Sequence, residues 1–582
     1  MHVLHVQTVY LKPGFLAQTP VSQHNALYRK AKSKMNRGRA VGIDGIPIEC
    51  VLGTWDAETR EYISPLDELL VWVFNQVVIT GKYPDCWRTA LLCTLLKGGY
   101  IDKRDPNNYC GISLLASIGK LFATIIEDRI TQFDWDTDGL CETQFGFTRG
   151  RRTIDACFVL DTLIYMKLKE KGELYVAFID FQKAYDYVWH EGLFFKMLHK
   201  RMIGPIFRFI HSMYESVKSV VLCATEVSEI INQCVRVRQG CVLSPCLFSL
   251  FISDLPEFLR EQGGQGVRID KGYITCLLFA DDGAIIANSK DDLQRMLNAL
   301  NMYCSKWRMI VNVNKTEVVV FNRRKPIKEY VLFYEGKKLA VKAEFKYLGL
   351  MFHESRRNGG MIEHRLRQAR KLIAAWKRRC KIWLFKPKEI VNQFMTCVLP
   401  ALEYGSCLWG AGQRRGESKL WKEFETFWRQ IAKSILDVPV RAPTDGVLGE
   451  LGWMSFWVGS RWLAVNFKYW TRVIELKDPS IMKEALHKQL ELVECGRECW
   501  LSGIKKTLYM TSIGKDYWKK WTLGVREGRD LKCITYTVSI KEDTGKIQII
   551  GKRWEDEIHE ALNSVFVDTW YADINRNESK KW

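Results

Sequence analysis

Short apolar runs alternate with helical periodicity through the middle of the chain. Two segments, 246–262 and 291–307, have apolar residues three and four positions apart and predict helices, and they lie among runs that are β-rich. Four such runs, rich in β-branched and aromatic residues, predict strands at 173–181, 273–280, 317–324 and 345–352. The pattern indicates an α+β fold, with helices packed on one side of a sheet.

The sequence before this region is predominantly helical in pattern. Residues 28–39 form a basic, helix-like stretch, and the apolar spacing at 66–74 suits a buried helix. An apolar segment at 89–96 and a polar turn at 97–108 follow. Residues 111–130 predict an amphipathic helix with one apolar stripe, formed by Ile118, Leu121, Phe122, Ile125 and Ile126.

Beyond residue 353 the β pattern fades, and the sequence stays helical in character to about 435. Residues 436–582 hold ten of the 21 tryptophans, interleaved with lysine and arginine. Such a mixture can stack nucleobases while its cations hold phosphates. For any single tryptophan, however, we favour a core position with the basic residues on the outer face.

Charge and cysteine content narrow the class of protein. The 582 residues carry a formal charge of +20, which suits a polyanionic partner, either nucleic acid or an anionic membrane surface, although a high pI alone is the simpler alternative. The 18 cysteines lack the spacing of a zinc site, and unpaired cysteines fit a reducing compartment. With no secretory leader and no 18-residue apolar run, we expect an intracellular protein, nuclear or cytoplasmic, that does not span a membrane.

Acidic residues end two of the predicted strands. The motif FADD (279–282) lies between two apolar runs, which predicts a hairpin with Asp281 and Asp282 at its tip. Asp180 ends the strand in VAFIDFQKAYD. Phosphoryl transfer between a 3′-hydroxyl and a triphosphate uses two Mg²⁺ ions roughly 4 Å apart, which need a cluster of carboxylates. These three aspartates can supply one, whereas paired aspartates in a turn are by themselves a weak signal.

The ordered motifs resemble those of reverse transcriptases, and in particular the LINE-type group of non-LTR retrotransposons. FIDFQKAYD, RQGCVLSPCLF and FADD resemble polymerase motifs A, B and C, while NVNKTEVVVF and FKYLGLMF resemble motif D and the primer grip. Further similarity to this group extends over residues 27–470, in the segments RAVGIDGIPIE, WRTALLCTLLKGG, NNYCGISLLASIGKLF, QFGFTRGRRTIDA, VLPALEYGSCLWG and GELGWMSF.

The resemblance implies a right-hand polymerase of fingers, palm and thumb, acting on an RNA template, a DNA primer or target, and deoxynucleoside triphosphates. It implies domains at 1–60 (N-terminal extension and finger element), 61–352 (fingers and palm), 353–435 (thumb-like helices) and 436–582 (basic, helical, tryptophan-rich). Two Mg²⁺ ions, replaceable by Mn²⁺, would be held by Asp180, Asp281, Asp282 and the backbone carbonyl of Phe181. The oligomeric state stays open.

Other site residues also follow from the matched motifs. Tyr185 matches the steric gate that excludes a 2′-hydroxyl, and Gln239 and Gly240 match the motif B turn beside the nucleotide. Lys315 would donate a proton to leaving pyrophosphate, and Lys97 would reach the triphosphate. Without the motifs, Tyr185 reads as a core residue, and the two lysines read as solvated charges in or beside turns. Asp186 suits a structural role such as capping a helix.

Two departures from the family keep alternatives open. Cys110 stands where the family has an arginine that holds the triphosphate, and a thiol cannot replace a guanidinium. No nuclease domain is recognisable before residue 27 or after the polymerase, so we expect a truncated element, a gene fragment or an enzyme that uses a nick made elsewhere. Besides an RNA-directed DNA polymerase, the alternatives are an RNA-directed RNA polymerase, disfavoured by FADD and Tyr185, and a catalytically decayed RNA-binding protein.

Overall fold

The computed structural model describes most of the chain. The described residues are 21–96, 102, 104–105, 108–137, 141–223, 226–233, 235–238, 240–269, 272–355, 359–380, 386–409, 419–451, 453, 457–476, 480–497, 499–509, 512–526, 536–543 and 546–553. Mixed helices and sheets confirm the α+β class. Short 3₁₀ helices lie at Asp85–Trp87, Ala184–Tyr187 and Ile327–Glu329.

The described part of the first 170 residues combines helices with two antiparallel strand pairs, β1–β2 and β3–β4. Their elements are α1 (Val21–Ser33), α2 (Ile48–Leu52), β1 (Thr54–Asp56), β2 (Glu61–Ile63), α3 (Asp67–Thr80), β3 (Thr89–Leu96), β4 (Tyr109–Leu114), α4 (Ser117–Thr137) and α5 (Thr153–Lys169).

The middle of the chain contains most of the strands. Its elements are β5 (Leu174–Asp180), α6 (His190–His199), α7 (Pro205–Glu215), β6 (Val217–Cys223), β7 (Glu226–Val227), β8 (Ile231–Gln233), α8 (Leu243–Ile252), α9 (Leu255–Glu261), β9 (Val267–Ile269), β10 (Gly272–Ile274), β11 (Cys276–Phe279), β12 (Asp282–Ala287), α10 (Lys290–Trp307), β13 (Glu317–Phe321), β14 (Phe333–Tyr334), β15 (Lys337–Lys338), β16 (Ala340–Lys342), β17 (Glu344–Tyr347) and β18 (Leu350–His353).

The described residues of the last third are helical up to residue 526 and form a hairpin between 536 and 553. Its elements are α11 (Gly359–Cys380), α12 (Pro387–Cys397), α13 (Leu399–Glu403), α14 (Ser406–Trp409), α15 (Lys419–Ile435), α16 (Thr444–Glu450), α17 (Trp457–Ile474), α18 (Ile481–Glu494), α19 (Trp500–Leu508), α20 (Ser512–Arg526), β19 (Tyr536–Asp543) and β20 (Lys546–Arg553). The hairpin is an addition to the helical C-terminal region that the sequence predicts.

Two five-stranded sheets organise the molecule. The central sheet has the order β11-β12-β5-β13-β16, antiparallel except for the parallel β13–β16 pair. The second sheet has the order β4-β3-β6-β7, with β8 also pairing with β6, and its β3–β6 pair is parallel. Smaller two-stranded ribbons include β17–β18, which follows the central sheet along the chain.

Helices cover both faces of the central sheet, so the prediction of helices on one side is wrong. Alternate β5 residues enter two different cores: Leu174, Val176 and Phe178 belong to one, and Tyr175, Ala177 and Ile179 to the other. The first core includes α5 and residues of α11–α20, and the second includes residues of α4, α6, α8 and α10. A strand buried on both faces reads as a continuous apolar run, which is the pattern of LYVAFI.

Three local predictions are corrected by strand pairing. Residues 111–114 belong to strand β4, not to the predicted helix, because they pair with β3. Residues 345–352 form the hairpin β17–β18 and not one strand, and the chain reverses at Leu348 and Gly349, whose φ angles are 44° and 82°. The predicted strand 273–280 is divided into β10 and β11.

Helix predictions hold with changed limits. The amphipathic stripe of α4 is confirmed, since Leu121, Phe122, Ile125 and Ile126 are buried. The first helix ends at Ser33 and not at residue 39. Helix α3 buries one face only and exposes Leu69, Trp72 and Ile79. In the described C-terminal part, the expectation of core tryptophans is confirmed for five buried side chains: Trp453, Trp470, Trp500, Trp518 and Trp521.

Candidate functional site

Strand pairing brings the three predicted aspartates to one edge of the central sheet. Asp180 is the last residue of β5 and Asp282 the first of β12, and these two residues are directly opposed in the antiparallel register. The predicted hairpin is confirmed, but because Phe279 pairs with Asp282, its two-residue loop is Ala280 and Asp281, and Asp282 is the first residue of the returning strand. Directly opposed residues in a sheet have Cβ atoms roughly 4.5–5.5 Å apart. The hairpin therefore places a carboxylate pair beside a third carboxylate.

The segment 143–146 holds the backbone of this turn, a role that the sequence analysis did not assign to it. Gln144 is buried, and its Oε1 accepts hydrogen bonds from the N–H of Gly146 at 2.8 Å and of Ala280 at 3.3 Å. Ala280 has a left-handed φ of 56°, which an L-residue holds only with such support. A Cβ on Gly146 would lie 2.1 Å from the Ala280 nitrogen, so glycine is required there. The only sequence feature that marks this segment is the motif QFGF, in which Gln144 and Gly146 are two residues apart.

Asp180 is held by the loop that precedes β13. Its N–H donates to Thr316 Oγ1 at 3.3 Å, and its carbonyl accepts from the N–H of Asn312 at 2.8 Å. Lys315 Nζ lies 3.9 Å from Asp180 Oδ2, and its side chain is 70% exposed. An exposed pair of this kind contributes little stability. The lysine thus lies beside the carboxylates without being immobilised by them.

The ring of Phe181 is buried, but its backbone carbonyl makes no hydrogen bond to the loop that precedes β13. The bonds from Asn312 N–H to the Asp180 carbonyl and from Gln182 N–H to the Ile310 carbonyl flank Phe181, which forms an isolated bridge with Val311. Backbone polar groups of successive residues in an extended segment point to opposite sides. The Phe181 carbonyl is therefore directed away from Val311, toward the side of β5 that carries β12.

Mutual repulsion and burial perturb two of the carboxylates. The pKa of Asp282 is raised to about 6, first by loss of hydration and then by the negative charges of Asp281 and Asp180. The pKa of Asp281 is also raised, chiefly by burial and further by Asp180. Although Asp282 is exposed, the surrounding protein and the two neighbouring charges disfavour its ionised form. The three groups form a coupled cluster of excess negative charge.

This cluster suits hard divalent cations by the chemistry of its donors. Carboxylate and carbonyl oxygens are the ligands that Mg²⁺ prefers, and a cation offsets the repulsion that raises these pKa values. Within the described ranges, no three His, Cys, Asp or Glu side chains converge as a preformed metal cluster. Mg²⁺ is commonly held by one or two carboxylates together with substrate phosphates, so a preformed cage is not required.

Tyr185 lies close to the carboxylates on the 3₁₀ helix Ala184–Tyr187. Its half-buried ring stacks on Phe248 of α8, with centroids 4.9 Å apart and planes at 26°. Burial raises the pKa of its hydroxyl, and the charge of Asp281 raises it further. The stacking fixes the ring beside the turn that carries Asp281.

Gly240 is the described member of the motif B turn. Its φ is 108°, and a Cβ there would lie 2.5 Å from the Ser113 carbonyl oxygen of β4. Both the backbone angle and the close approach require glycine. Gln239 and Lys97 lie outside the described residues, as does the side chain of Cys110, so their predicted roles stay predictions. Asp186 is not a helix cap: its Oδ1 lies 3.0 Å from Arg236 Nε.

Comparison with known proteins supports the family resemblance. Residues 101–352 match the family described as "Reverse transcriptase (RNA-dependent DNA polymerase)". The chain is 29% identical over 369 residues to the RNA-directed DNA polymerase from mobile element jockey of Drosophila funebris, an alignment covering 60% of this chain and 38% of that protein. It is 26% identical over 386 residues to the probable RNA-directed DNA polymerase from transposon BS of Drosophila melanogaster, covering 64% of this chain and 40% of that protein.

These alignments confirm the resemblance to LINE-type reverse transcriptases. The chain spans about two fifths of the length of the two relatives, at 38% and 40%. Among solved structures, the apo telomerase of Candida tropicalis matches with a TM-score of 0.33 and 12% identity, covering 52% of this chain and 63% of that chain, a similarity below the level that identifies a fold. None of the helices in the described ranges combines the length and apolar character needed to cross a membrane.

Proposed function

We propose that this chain, whose residues 101–352 match the reverse transcriptases, is an RNA-directed DNA polymerase of a non-LTR mobile element. The observation that carries the proposal is the opposition of Asp180 and Asp282 in the sheet register, with Asp281 in the adjoining turn. Two carboxylate-bearing strand ends at one sheet edge suit two-metal phosphoryl transfer. The substrates would be an RNA template, a DNA 3′ end and deoxynucleoside triphosphates, inside the cell.

The chemistry divides among the residues at this edge. Asp180, Asp281, Asp282 and the Phe181 carbonyl would hold two Mg²⁺ ions, or Mn²⁺ in their place. When bound, these ions neutralise charge that develops on the attacking and leaving oxygens. Lys315, exposed and 3.9 Å from Asp180, is suited to give a proton to the leaving pyrophosphate. Gly240, Gln239 and Lys97 would border the nucleotide.

Selection of deoxynucleotides would depend on Tyr185. Its ring is fixed by Phe248 and lies near Asp281, so a 2′-hydroxyl on a bound nucleotide would meet it. This arrangement disfavours an RNA-directed RNA polymerase, which must admit that hydroxyl. The alternative of a catalytically decayed RNA-binding protein finds no support in the three-aspartate edge, where each predicted carboxylate is present.

We further propose a right-hand arrangement for these elements. The central sheet would be the palm, the sheet containing β3 and β4 the fingers, and the helices from α11 to α15 the thumb. The hairpin β17–β18 would serve as primer grip. The domain limits 1–60, 61–352, 353–435 and 436–582 remain predictions within this proposal.

Primer extension on poly(rA)/oligo(dT) with Mg²⁺ or Mn²⁺ tests the function. We expect Asp180→Asn, Asp281→Asn and Asp282→Asn each to lower the rate at least roughly a thousandfold, or about 4 kcal/mol of transition-state stabilisation, because each removes a metal ligand. Binding of the RNA–DNA hybrid should persist. Asp516→Asn, an exposed position on α20, is the matched control and should extend normally. Near-normal extension by Asp281→Asn would contradict the assignment.

A further inference from the structure

Arg236 adopts a backbone conformation that arginine normally avoids. Its φ of 94° is the largest among the non-glycine residues with positive φ in the described part of the chain. Its N–H donates to the Val188 carbonyl at 2.9 Å, and its own carbonyl accepts from His190 Nε2 at 2.9 Å. Val235, just before it, bridges to Trp189. The strain is therefore imposed by pairing on both sides, the condition under which such a conformation persists.

The side chain of Arg236 joins two elements that are distant in sequence. Its Nε lies 3.0 Å from Asp186 Oδ1, and its Nη2 donates to the Gly111 carbonyl of β4 at 3.2 Å. The arginine side chain is 17% exposed and that of Asp186 33%, so the ion pair is partly shielded from water. One guanidinium thus holds strand β4 and the 3₁₀ helix Ala184–Tyr187 at a set separation.

Both of these elements border the proposed nucleotide site. Asp186 directly follows Tyr185, the proposed sugar gate, whose carbonyl accepts from the N–H of Val237 at 3.0 Å. Gly111 is two residues from Ser113, whose carbonyl oxygen contacts Gly240 closely. The segment from Arg236 to Gly240 therefore meets β4 at two places, and Arg236 provides the charged contact.

We propose that Arg236 is a positioning residue for the incoming nucleotide: it fixes strand β4 against the helix that bears Tyr185. The inference rests on the proposed polymerase function and names a residue outside the predicted site. Without the guanidinium, β4 keeps its pairing with β3 but loses its link to Asp186. The width of the nucleotide site then varies, which weakens nucleotide binding and sugar selection more than it weakens hybrid binding.

Arg236→Gly is the informative variant, because glycine accepts a φ of 94° without strain and the protein should fold. On an RNA–DNA hybrid with a dideoxy-terminated primer, we expect the Kd for the matching deoxynucleotide to rise roughly tenfold or more, because the two elements that border the site are no longer held at a fixed separation. The Kd for the hybrid should stay unchanged, and the amides of residues 109–114 should exchange deuterium faster. Asp186→Asn should raise the nucleotide Kd and speed β4 exchange in the same way, and the double variant Arg236→Gly with Asp186→Asn should show no larger effect than Arg236→Gly alone.

Two further variants separate positioning from general stability. Arg236→Lys keeps the charge but not the two-pronged contact, so it should restore nucleotide binding in part. Arg201→Gly makes the same substitution at an exposed arginine with a φ of 58°, and should change neither nucleotide Kd nor exchange in β4.

The inference is overturned if Arg236→Gly leaves both nucleotide Kd and β4 exchange as in the wild type. It is also overturned if the wild-type complex binds no deoxynucleotide. These readouts need no turnover, so the two proposals fail separately. If the wild type binds nucleotide, if Arg236→Gly weakens that binding, and if the wild type never extends a primer, the polymerase proposal fails and the positioning role stands. If the wild type extends primers normally and Arg236→Gly has the wild-type nucleotide Kd and β4 exchange, the positioning role fails and the polymerase proposal stands.

Discussion

At the scale of single residues, the end of the central sheet that carries Asp180, Asp281 and Asp282 holds negative charges that repel one another. Asp281 and Asp282 have raised pKa values because burial and like charges both disfavour ionisation. Lys315 offsets little of this, since it is exposed and 3.9 Å from Asp180. Clusters of perturbed carboxylates are typical of functional sites. The same end of the sheet has the backbone carbonyl of Phe181, so in the proposed site its oxygen would join the carboxylates in binding a cation.

Tyr185 provides the residue-scale prediction. Tyr185→Val removes a ring that stacking on Phe248 holds beside Asp281. We expect incorporation of ribonucleotides relative to deoxynucleotides to rise by roughly tenfold or more, because the obstacle to the 2′-hydroxyl is gone. Single-nucleotide incorporation with paired dNTP and rNTP measures the ratio. Tyr187→Val, two residues away on the same 3₁₀ helix, is the control, and equal discrimination by both variants would contradict the gate.

At the scale of elements, helices α6, α8 and α10 meet around a buried lysine. Lys196 Nζ donates to Asp254 Oδ1 and to Tyr303 Oη, each at 2.7 Å, and to the Phe251 carbonyl. It also lies 3.9 Å from the centroid of the Trp307 ring. Burial lowers the pKa of Lys196 to about 8, against the raising effect of Asp254, while Lys306 and Lys200 lower it further. Through these contacts Lys196 links α6, α8 and α10, which pack on one face of the central sheet.

This lysine predicts a pH dependence of stability. Its pKa is 10.5 ordinarily and about 8 in the folded protein, so between these values the unfolded chain binds more protons. Stability should therefore rise with pH through this window, by at most roughly 1.4 kcal/mol per pH unit, and the penalty is fully present below it. We expect the unfolding midpoint of the wild type, relative to Lys196→Met, to increase from pH 8 to pH 10.

The control for this measurement is Lys290→Met, at an exposed position in the first turn of α10. Its difference from the wild type should not vary with pH over the same window. A wild type and a Lys196→Met variant with parallel pH profiles would show that Lys196 keeps an ordinary pKa in the folded state.

At the scale of the whole molecule, the C-terminal helices share one core with the central sheet. That core contains Val176 and Phe178 of β5 together with Trp470, Trp500 and Trp521. Polar contacts cross the same boundary: Gln489 Nε2 donates to Thr162 Oγ1 at 3.1 Å, and Trp500 Nε1 donates to the Cys407 carbonyl at 2.5 Å. Separating the sheet from residues beyond 435 would expose this apolar surface, so the helices stabilise the proposed catalytic region directly.

Asp155 and Arg472 provide the test of this coupling. The carboxylate of Asp155 on α5 is fully buried and accepts from Arg472 Nη1 at 2.8 Å, from Arg472 Nη2 at 2.7 Å and from Tyr469 Oη at 2.9 Å. Arg472→Met leaves a buried carboxylate without its cation and should destabilise the fold by roughly 3–5 kcal/mol. Thermal unfolding measures the loss, and it should include the region of β5.

Two comparisons sharpen this test. Lys468→Met, an exposed position on the same helix α17, should leave the unfolding midpoint nearly unchanged. Asp155→Asn combined with Arg472→Met should be less destabilised than Arg472→Met alone, since no charge remains buried. An Arg472→Met protein as stable as the wild type would mean that the C-terminal helices do not support the sheet through this pair.

The sequence by itself determined the elements whose signals are local. The apolar run before Asp180 predicted β5, and the two apolar runs around FADD predicted the β11–β12 hairpin. The periodicity of 291–307 predicted α10. These predictions succeed because the periods of strands and helices depend only on residues that are close together in sequence. The order of the motifs also indicated the resemblance to reverse transcriptases and singled out the three aspartates as candidate metal ligands. The same local signals misassigned 111–114 and 345–352, where pairing with another strand, and not local pattern, decides the outcome.

Only the tertiary structure decided the long-range contacts that support the proposed site and join it to the rest of the fold. Gln144 supports Ala280 across 136 residues, Arg236 reaches Gly111 across 125, and Arg472 neutralises Asp155 across 317. Each of these partners is an ordinary polar residue in its own neighbourhood and has no periodicity to mark it. Their importance arises because folding buries or restrains one member of the pair, and a buried or strained group must find its partner wherever the chain brings one.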